Sequence, residues 1–419
     1  MVDKPWYISM FSKERLHEPA LLLVAFIMPI NLRLLNLALG ALLVIIVLQR
    51  MNKWNTTSQV GRVKMPFYLL GIMAVLLMMS SFSLKSHPEF WPNIETKLSV
   101  VFMPLLFLYL PQVEQRFRFR VACAFALGVS LFATASWLHA FDSYHHTASI
   151  GDFFYQKLSW IFHPSYLAMY VVMVIAHYHF MWVYDATSKL RRNVLLVVSA
   201  LLAMYVAFLS SKAGFLTLFM AVGIMALYAW RMKGNTTKVF VHMGVIVGTF
   251  LLFFLTVPSI NGRVERAVSD TQSQIAGVQG HEAKASTAMR FVTWSAAWHV
   301  LEKHAMGVGT GNVTNHLVTE YQNANELEAL EQKLPAHNEY LQMGAEWGWI
   351  GLIVLVVLMG YLLVRSWQSG DLTFMVFAAG MSLNFLFESM LELQQGIVFF
   401  TFWVLFFTYR KQALMVKAS

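Results

Sequence analysis

The sequence contains few charged residues for its length. Asp, Glu, Lys and Arg make up 13% of the 419 residues, whereas a soluble domain normally carries about 25%. The deficit extends along the whole chain, because apolar runs recur from Leu21 to Phe407. This composition excludes an ordinary soluble globular domain and indicates a bundle of membrane-spanning helices.

Cysteine is almost absent. The single thiol, Cys123, lies within an apolar run, so the chain has no internal disulfide and no cysteine-based metal site. The first twenty residues lack the short apolar core of a cleavable signal peptide, and we expect them to be retained. The net charge is +9, but the basic residues are scattered through short loops. We therefore predict contact with anionic membrane lipids and no nucleic-acid binding.

Twelve apolar segments are candidate membrane spans, which predicts an all-α integral membrane protein of about twelve helices. A proline and an arginine break the first two at 29–33, which predicts a tight reversal. The break at Ser210–Lys212 is read as a turn at the interface or a lysine facing a cavity. The spans cover residues 19–31, 34–49, 66–83, 97–111, 119–140, 164–184, 193–209, 212–230, 238–257, 348–365, 371–388 and 395–409.

The loop charges predict the orientation of these spans. If the N-terminus is cytoplasmic and the spans alternate, most of the 31 Lys and Arg residues fall inside, as the positive-inside rule requires. Both termini are then cytoplasmic. The long polar segment 258–346 lies outside, between the ninth and tenth spans, and a loop of that length is usually functional. We predict three regions: spans 1–9 in 1–257, the outer catalytic loop in 258–346, and spans 10–12 with a tail in 347–419.

A second outer loop, 141–163, is rich in aromatic residues and histidine. Its composition is typical of an interfacial aromatic belt. Three histidines, His145, His146 and His163, have no spacing that suggests a metal site, and no metal is predicted. Whether this loop contacts a substrate stays open.

The long outer loop carries motifs in a distinct order. Arg290 precedes a Trp-containing helical stretch, the glycine run Gly307–Gly311 follows, and His337–Tyr340 reads His-Asn-Glu-Tyr. The chain then re-enters the membrane through Gly344–Gly351. The glycine run lacks the Lys-Ser/Thr of a phosphate-binding loop, so we interpret it as a turn.

This order of motifs, with twelve spans and one large late outer loop, resembles the O-antigen ligase and polymerase superfamily in its Wzy_C region. Thr96–Ser99 and Leu209–Gly214 look similar to ligase-like members from Bacteroidota. The resemblance implies a glycosyltransferase of the bacterial inner membrane that acts in lipopolysaccharide biosynthesis. It would move a glycan from undecaprenyl diphosphate to the lipid A core at the periplasmic face, without a cofactor.

The resemblance also implies roles for particular residues. The family's loop histidine falls on His337 and its loop arginine on Arg290. A second family arginine falls on Lys212, where lysine keeps the charge but loses the bidentate fork. The remaining candidates are Arg263 and Arg266 for the phosphates, and Asn338, Glu339 and Glu346 as supporting residues.

The reaction's chemistry agrees with these roles. A glycosyl diphosphate needs cations that stabilise the leaving group, and the acceptor hydroxyl needs a base. An imidazole with a pKa near 7 suits the second task. Simpler interpretations remain, since His337 can cap the following helix and Arg290 can be a solvated helix residue.

Three other functions compete with a ligase. A polymerase uses the same donor with another lipid-linked repeat as acceptor, and the sequence does not separate the two. The Bacteroidota-like stretches favour the ligase. A transporter usually shows paired half-repeats, which this sequence lacks. A scaffold without chemistry leaves the motifs of the long loop unexplained.

Overall fold

The computed structural model describes residues 12–13, 15–52, 65–83, 90–111, 114–232, 236–260 and 288–409, and regular structure in these ranges is helical throughout. Short 3₁₀ turns occur at Ile150–Phe153 and Met390–Glu392. The helices are α1 (His17–Ile27), α2 (Leu32–Met51), α3 (Met65–Ser83), α4 (Phe90–Lys97), α5 (Ser99–Tyr109), α6 (Gln115–Thr147), α7 (Tyr155–Ser159), α8 (Pro164–Phe180), α9 (Lys189–Leu209), α10 (Lys212–Arg231), α11 (Thr236–Thr256), α12 (Ala288–Lys303), α13 (Val313–Asn323), α14 (Leu327–Gln332), α15 (Glu339–Ser369), α16 (Leu372–Asn384) and α17 (Gln394–Thr408).

Every predicted span coincides with a helix. Seven of the helices are long and apolar enough to cross a membrane, and α1, α3, α16 and α17 contain shorter apolar segments. The helical class and the membrane character are therefore confirmed. The number of twelve crossings stays a prediction.

Local capping explains two of the helix breaks. The Asn31 side chain accepts from Arg33 N (2.9 Å) and Leu34 N (3.1 Å), which starts α2 directly after α1. Ser210 is left-handed (φ +47°) at the end of α9, and Ser211 Oγ accepts from Gly214 N at 3.1 Å to start α10. The break at Ser210–Lys212 is therefore a tight turn between two helices.

Helix α8 lies at the centre of the bundle, and nearly all its side chains are buried. It packs against α6, α9, α10 and α16. Because lipid is as apolar as the helix surfaces, close packing and hydrogen bonds hold such helices together. Gly214 of α10 shows how close they lie: a Cβ there would be 2.5 Å from Ala168 Cβ of α8.

Helix α15 is broken at Trp347 and Gly348, where Gly348 has φ +68° and ψ −162°. The run Gly307–Gly311 packs against this break, because Val308 N and Gly309 N each donate at 2.9 Å to carbonyls of the first helical section. A Cβ on Gly348 would collide with Ala305 O. The glycine run therefore satisfies backbone groups that the break frees, in agreement with its interpretation as a turn segment.

Contacts near the ends of the helices divide the described part of the chain into two ends. At one end, Gln49 Nε2 donates to Lys13 O (2.9 Å), and Arg118 Nη2 donates to Phe406 O (2.6 Å). These residues lie at or beside the span ends predicted to face the cytoplasm. The segments predicted to lie outside meet at the other end, which holds the site described below. Which end faces the cytoplasm stays a prediction.

Candidate active site

Three charged or titratable side chains from distant segments meet at the predicted outer end. Arg290 Nη2 of α12 donates to Glu388 Oε1 at 2.9 Å, and His337 Nδ1 lies 3.6 Å from Glu388 Oε2. Glu388 is buried behind the other two, whereas the His337 side chain is 28% exposed. We call Arg290, His337 and Glu388 the open cluster, because its imidazole is accessible.

Backbone contacts hold His337 between α12 and α15. Its carbonyl accepts from Trp294 Nε1 at 3.2 Å, and the residue is left-handed with φ +47°. The Asn338 side chain, not the histidine, caps α15 by accepting from Leu341 N at 3.1 Å. The imidazole is therefore not used as a helix cap and faces Glu388 instead.

A line of hydroxyl groups connects the open cluster with the start of α10. Ser165 Oγ donates to Glu388 Oε1 at 3.1 Å, and Ser211 Oγ donates to Ser165 Oγ at 3.0 Å. Lys212 is the next residue and is half-buried. The fold thus brings Lys212, Arg290 and His337 to one end of the bundle.

His163, directly before α8, is a neighbour of this cluster. Burial lowers the pKa of His163 below its usual 6.5, with Glu388 opposing the shift and His337 and Arg290 adding to it. The guanidinium of Arg290, 2.9 Å from Glu388 Oε1, favours the ionised form of that carboxyl. Near neutral pH, Glu388 is therefore a carboxylate and His163 is neutral.

A second group of charges lies deeper at the same end. Lys97 Nζ forms ion pairs with Glu346 Oε2 and, at 2.6 Å, with Glu392 Oε1. The lysine side chain is only 2% exposed, and its Nζ lies 5.6 Å from the centre of the Trp347 ring. We call Lys97, Glu346 and Glu392 the sealed cluster. It connects α4, the break in α15 and the 385–393 loop.

The structure gives partners to two of the predicted supporting residues. Glu346 pairs with Lys97. Glu339 is buried and accepts from Leu391 N at 2.7 Å. Glu339 therefore holds the 385–393 loop directly and Glu346 holds it through Lys97, which also pairs with Glu392; Glu388 of the same loop completes the open cluster. Arg263 and Arg266 lie outside the described residues.

Sequence reasoning did not assign three residues of this region to the site: Glu388, Lys97 and His163. Glu388 was the last residue of the eleventh predicted span, and Lys97 was the first residue of the fourth. A charge at the end of an apolar run is costly unless it has a partner. That cost was the available signal, although it does not identify the partner.

The described part of the chain is helical, with several candidate spans and a polar cluster at one end, which are features of a multi-pass membrane protein. Residues 195–356 match the Wzy_C family model, described as O-antigen ligase. This segment is therefore similar to that family, and the predicted resemblance to the superfamily is confirmed. The likeness to Bacteroidota members stays a prediction. No curated protein matches the chain.

The matched segment includes the predicted site residues from Lys212 to Glu346, among them Arg290 and His337. Glu388 and Lys97 lie outside it and join the site only through the fold. Members of this family are glycosyltransferase-like ligases and polymerases.

Proposed function

We propose that this protein transfers a glycan from undecaprenyl diphosphate to the lipid A core oligosaccharide. The reaction takes place at the periplasmic face of a bacterial inner membrane, with both termini cytoplasmic. The observation that carries the proposal is the open cluster, in which a cation and an accessible imidazole share one buried carboxylate. This arrangement provides the two groups that transfer from a glycosyl diphosphate requires.

Arg290 and Lys212 are the proposed diphosphate ligands. A guanidinium has five N–H donors, and the contact with Glu388 Oε1 uses one nitrogen. The others remain for phosphate oxygens. Lys212 adds a point charge from the start of α10, where the helix N-terminus also favours an anion. Cations at this position stabilise the negative charge that develops as the bond to the diphosphate breaks.

His337 is the proposed general base. The acceptor hydroxyl oxygen attacks the anomeric carbon, the bond from that carbon to the diphosphate oxygen breaks, and His337 Nε2 takes the hydroxyl proton. Attack opposite the leaving group inverts the anomeric centre. Glu388, beside Nδ1, orients the ring and stabilises the imidazolium that forms, as the third group of a nucleophile–base–orienter arrangement does.

The pH dependence of purified protein, with synthetic donor and acceptor, tests the role of His337. We expect His337→Ala to lose about 10²–10⁴ in turnover while donor binding persists. Wild-type activity should fall towards acid over pH 5 to 9, because a protonated ring cannot accept a proton. A rate that rises towards acid, or a His337→Arg variant near wild type, would instead assign His337 as a cation for the diphosphate.

The glycan profile of a deletion strain tests the acceptor. For a ligase we expect uncapped lipid A core and accumulated lipid-linked polymer. A polymerase, the alternative with the same donor, would leave cores capped with a single repeat. Donor trapped in the cytoplasm would indicate a flippase and would contradict glycan transfer.

A further inference from the structure

The predicted outer loop between α6 and α8 lines a half-open cavity of about 240 Å³ that the proposed chemistry does not use. Its walls come from the last turns of α6, the 3₁₀ turn Ile150–Phe153 and helix α7. The polar and aromatic side chains that line the cavity and are used below belong to His139, Ser143, Asp152, Gln156, Lys157 and Trp160.

The length of α6 places this cavity beyond the hydrocarbon layer. The helix has 33 residues, which corresponds to about 50 Å at ~1.5 Å per residue. The hydrocarbon core is only about 30 Å thick. Arg116 and Arg120 mark the first turns as the predicted inner end, so the last turns extend past the outer boundary. The cavity therefore opens where water-soluble groups of a substrate are present.

The floor of the cavity is a fixed polar network. Asp152 is buried, and its carboxylate accepts from Ser143 Oγ (2.8 Å), Thr147 Oγ1 (2.5 Å) and Lys157 Nζ (2.5 Å). The hydrogen bond from Lys157, followed by those from the two hydroxyls, lowers the pKa of Asp152 to about 2. The carboxylate and the ammonium form a neutral pair, and the network keeps the cavity in one shape.

Trp160 forms the rim. Its ring stacks on His139 with the centroids 4.6 Å apart, and the residue is still 48% exposed. Its backbone has φ +57° and ψ −99°, a conformation that residues other than glycine rarely adopt. Such outliers persist where the surrounding structure enforces them, often at binding sites. The fold therefore holds a half-exposed indole, stacked on His139 and Phe132, at the mouth of a polar cavity.

We infer that this cavity binds one uncharged sugar residue of a glycan. A pyranose presents C–H groups on its faces and hydroxyl groups along its edge. Trp160 matches the faces, and Gln156, Lys157 and the hydroxyls match the edge. The volume equals roughly eight waters at ~30 Å³ each, which suits a single ring. The paired charges of Asp152 and Lys157 leave no net excess of cations for a phosphate.

The inference rests on the proposed function, because it assigns the sugar to a substrate of that reaction. Trp160 is three residues before His163, which neighbours Glu388 of the open cluster. A sugar in the cavity therefore belongs to a part of the glycan donor or of the acceptor oligosaccharide that does not react. The donor glycan and the acceptor oligosaccharide both present sugar rings, so the experiment must distinguish these two sources.

Kinetics and direct binding together test the subsite in the full-length protein. We expect Trp160→Ala and, more weakly, Gln156→Ala to raise KM about 10-fold for one substrate, donor or acceptor, with kcat nearly unchanged. A 10-fold rise in KM is the size expected for the loss of one aromatic contact. The substrate whose KM rises identifies the source of the sugar. Ile161→Ala is the matched control, because Ile161 is equally exposed beside Trp160 and does not line the cavity.

Saturation-transfer NMR with the two delipidated glycans of the host strain, core oligosaccharide and O-polysaccharide, gives a readout independent of catalysis. We expect a saturation-transfer signal for one of the two glycans with the wild-type protein. In Trp160→Ala this signal should fall at least five-fold. If the protein is inactive in the transferase assay but this signal persists, the proposed function fails and the subsite stands. If the wild-type protein gives no saturation-transfer signal, or if Ile161→Ala loses the signal as much as Trp160→Ala, the subsite proposal is wrong and Trp160 is a lipid anchor. Unchanged KM values for both substrates in Trp160→Ala overturn it too.

Discussion

The open and sealed clusters use similar residues at the same end of the bundle, but they differ in solvent access. Each joins a cation to at least one carboxylate, and each includes a glutamate of the 385–393 loop. Lys97 and Glu346 are 2% and 1% exposed, and Glu392 is 19% exposed, whereas the His337 side chain is 28% exposed. The Lys97–Glu346 pair can hold segments together but is closed to a substrate, whereas His337 is open to one.

The difference shows that burial and partner geometry, more than residue type, separate a structural charge from a reactive one. Removing one partner of a buried ion pair strongly destabilises the folded protein, because the other charge stays uncompensated in a low dielectric. A partly exposed charged group loses much less of its hydration on folding. It also keeps hydrogen-bond donors or lone pairs that a ligand can use. The two clusters should therefore respond in opposite ways to substitution.

The largest effect is expected for Lys97→Ala. It leaves two carboxylates without their cation, and we expect the free energy of unfolding to fall by about 3–5 kcal/mol. Thermal unfolding of the purified protein in detergent measures the change. The matched control is Lys303→Ala, which removes an exposed lysine 2.6 Å from Glu320 and should cost about 1 kcal/mol or less. A Lys97→Ala protein as stable as wild type would show that the sealed cluster is not structural.

Glu388→Gln is expected to impair turnover and largely spare the fold. The amide still accepts a hydrogen bond from Arg290, but it no longer stabilises a protonated His337. We expect a loss of about 10²-fold in kcat, the low end of general-base effects. Glu392→Gln, four residues away in the same loop, should lower the melting temperature more than the turnover. If both variants behave alike, the distinction between the clusters is wrong.

Lys212 should show a smaller effect, because Arg290 still supplies a cation at the same end of the bundle. We expect Lys212→Ala to slow transfer about 10-fold and to raise the donor concentration needed for half-maximal rate. Lys212→Arg should retain most of the activity, since it keeps the charge and adds a bidentate fork. Steady-state kinetics at varied donor concentration measure both variants. Wild-type kinetics for the alanine variant would remove Lys212 from the diphosphate site.

The smallest effect concerns acid stability. The pKa of His163 is lowered from 6.5 in the folded protein, so the unfolded chain binds the proton first as the pH falls. Stability should therefore decrease below pH 6.5, through a window that ends near the folded pKa. His163→Gln should flatten the melting temperature across pH 5 to 7, by about a degree or two for a fraction of a kcal/mol. An unchanged slope in the variant would show that His163 is not the group responsible.

Much of the architecture could be predicted from the sequence, because the signals are local. Apolar helices such as α2, with 20 residues, reach the length needed to cross a membrane, and their composition does not depend on their neighbours. The Ser210–Lys212 turn was one of two predicted interpretations of that break, because a lysine is costly in hydrocarbon. Arg290 and His337 were found through the order of motifs within one loop.

The pairing of charges was decided only by the tertiary structure. Lys97 and Glu346 are 249 positions apart in the sequence, and Ser165 and Glu388, which are hydrogen-bonded, are 223 positions apart. Nothing local in either segment specifies the other, because an ion pair depends on distance and on the water excluded around it. The sequence by itself determined where helices form and which charges they bring to each end. Only the packing of α8, α15 and the 385–393 loop decided which charges were buried together and which remained accessible, since burial is a property of the assembled bundle.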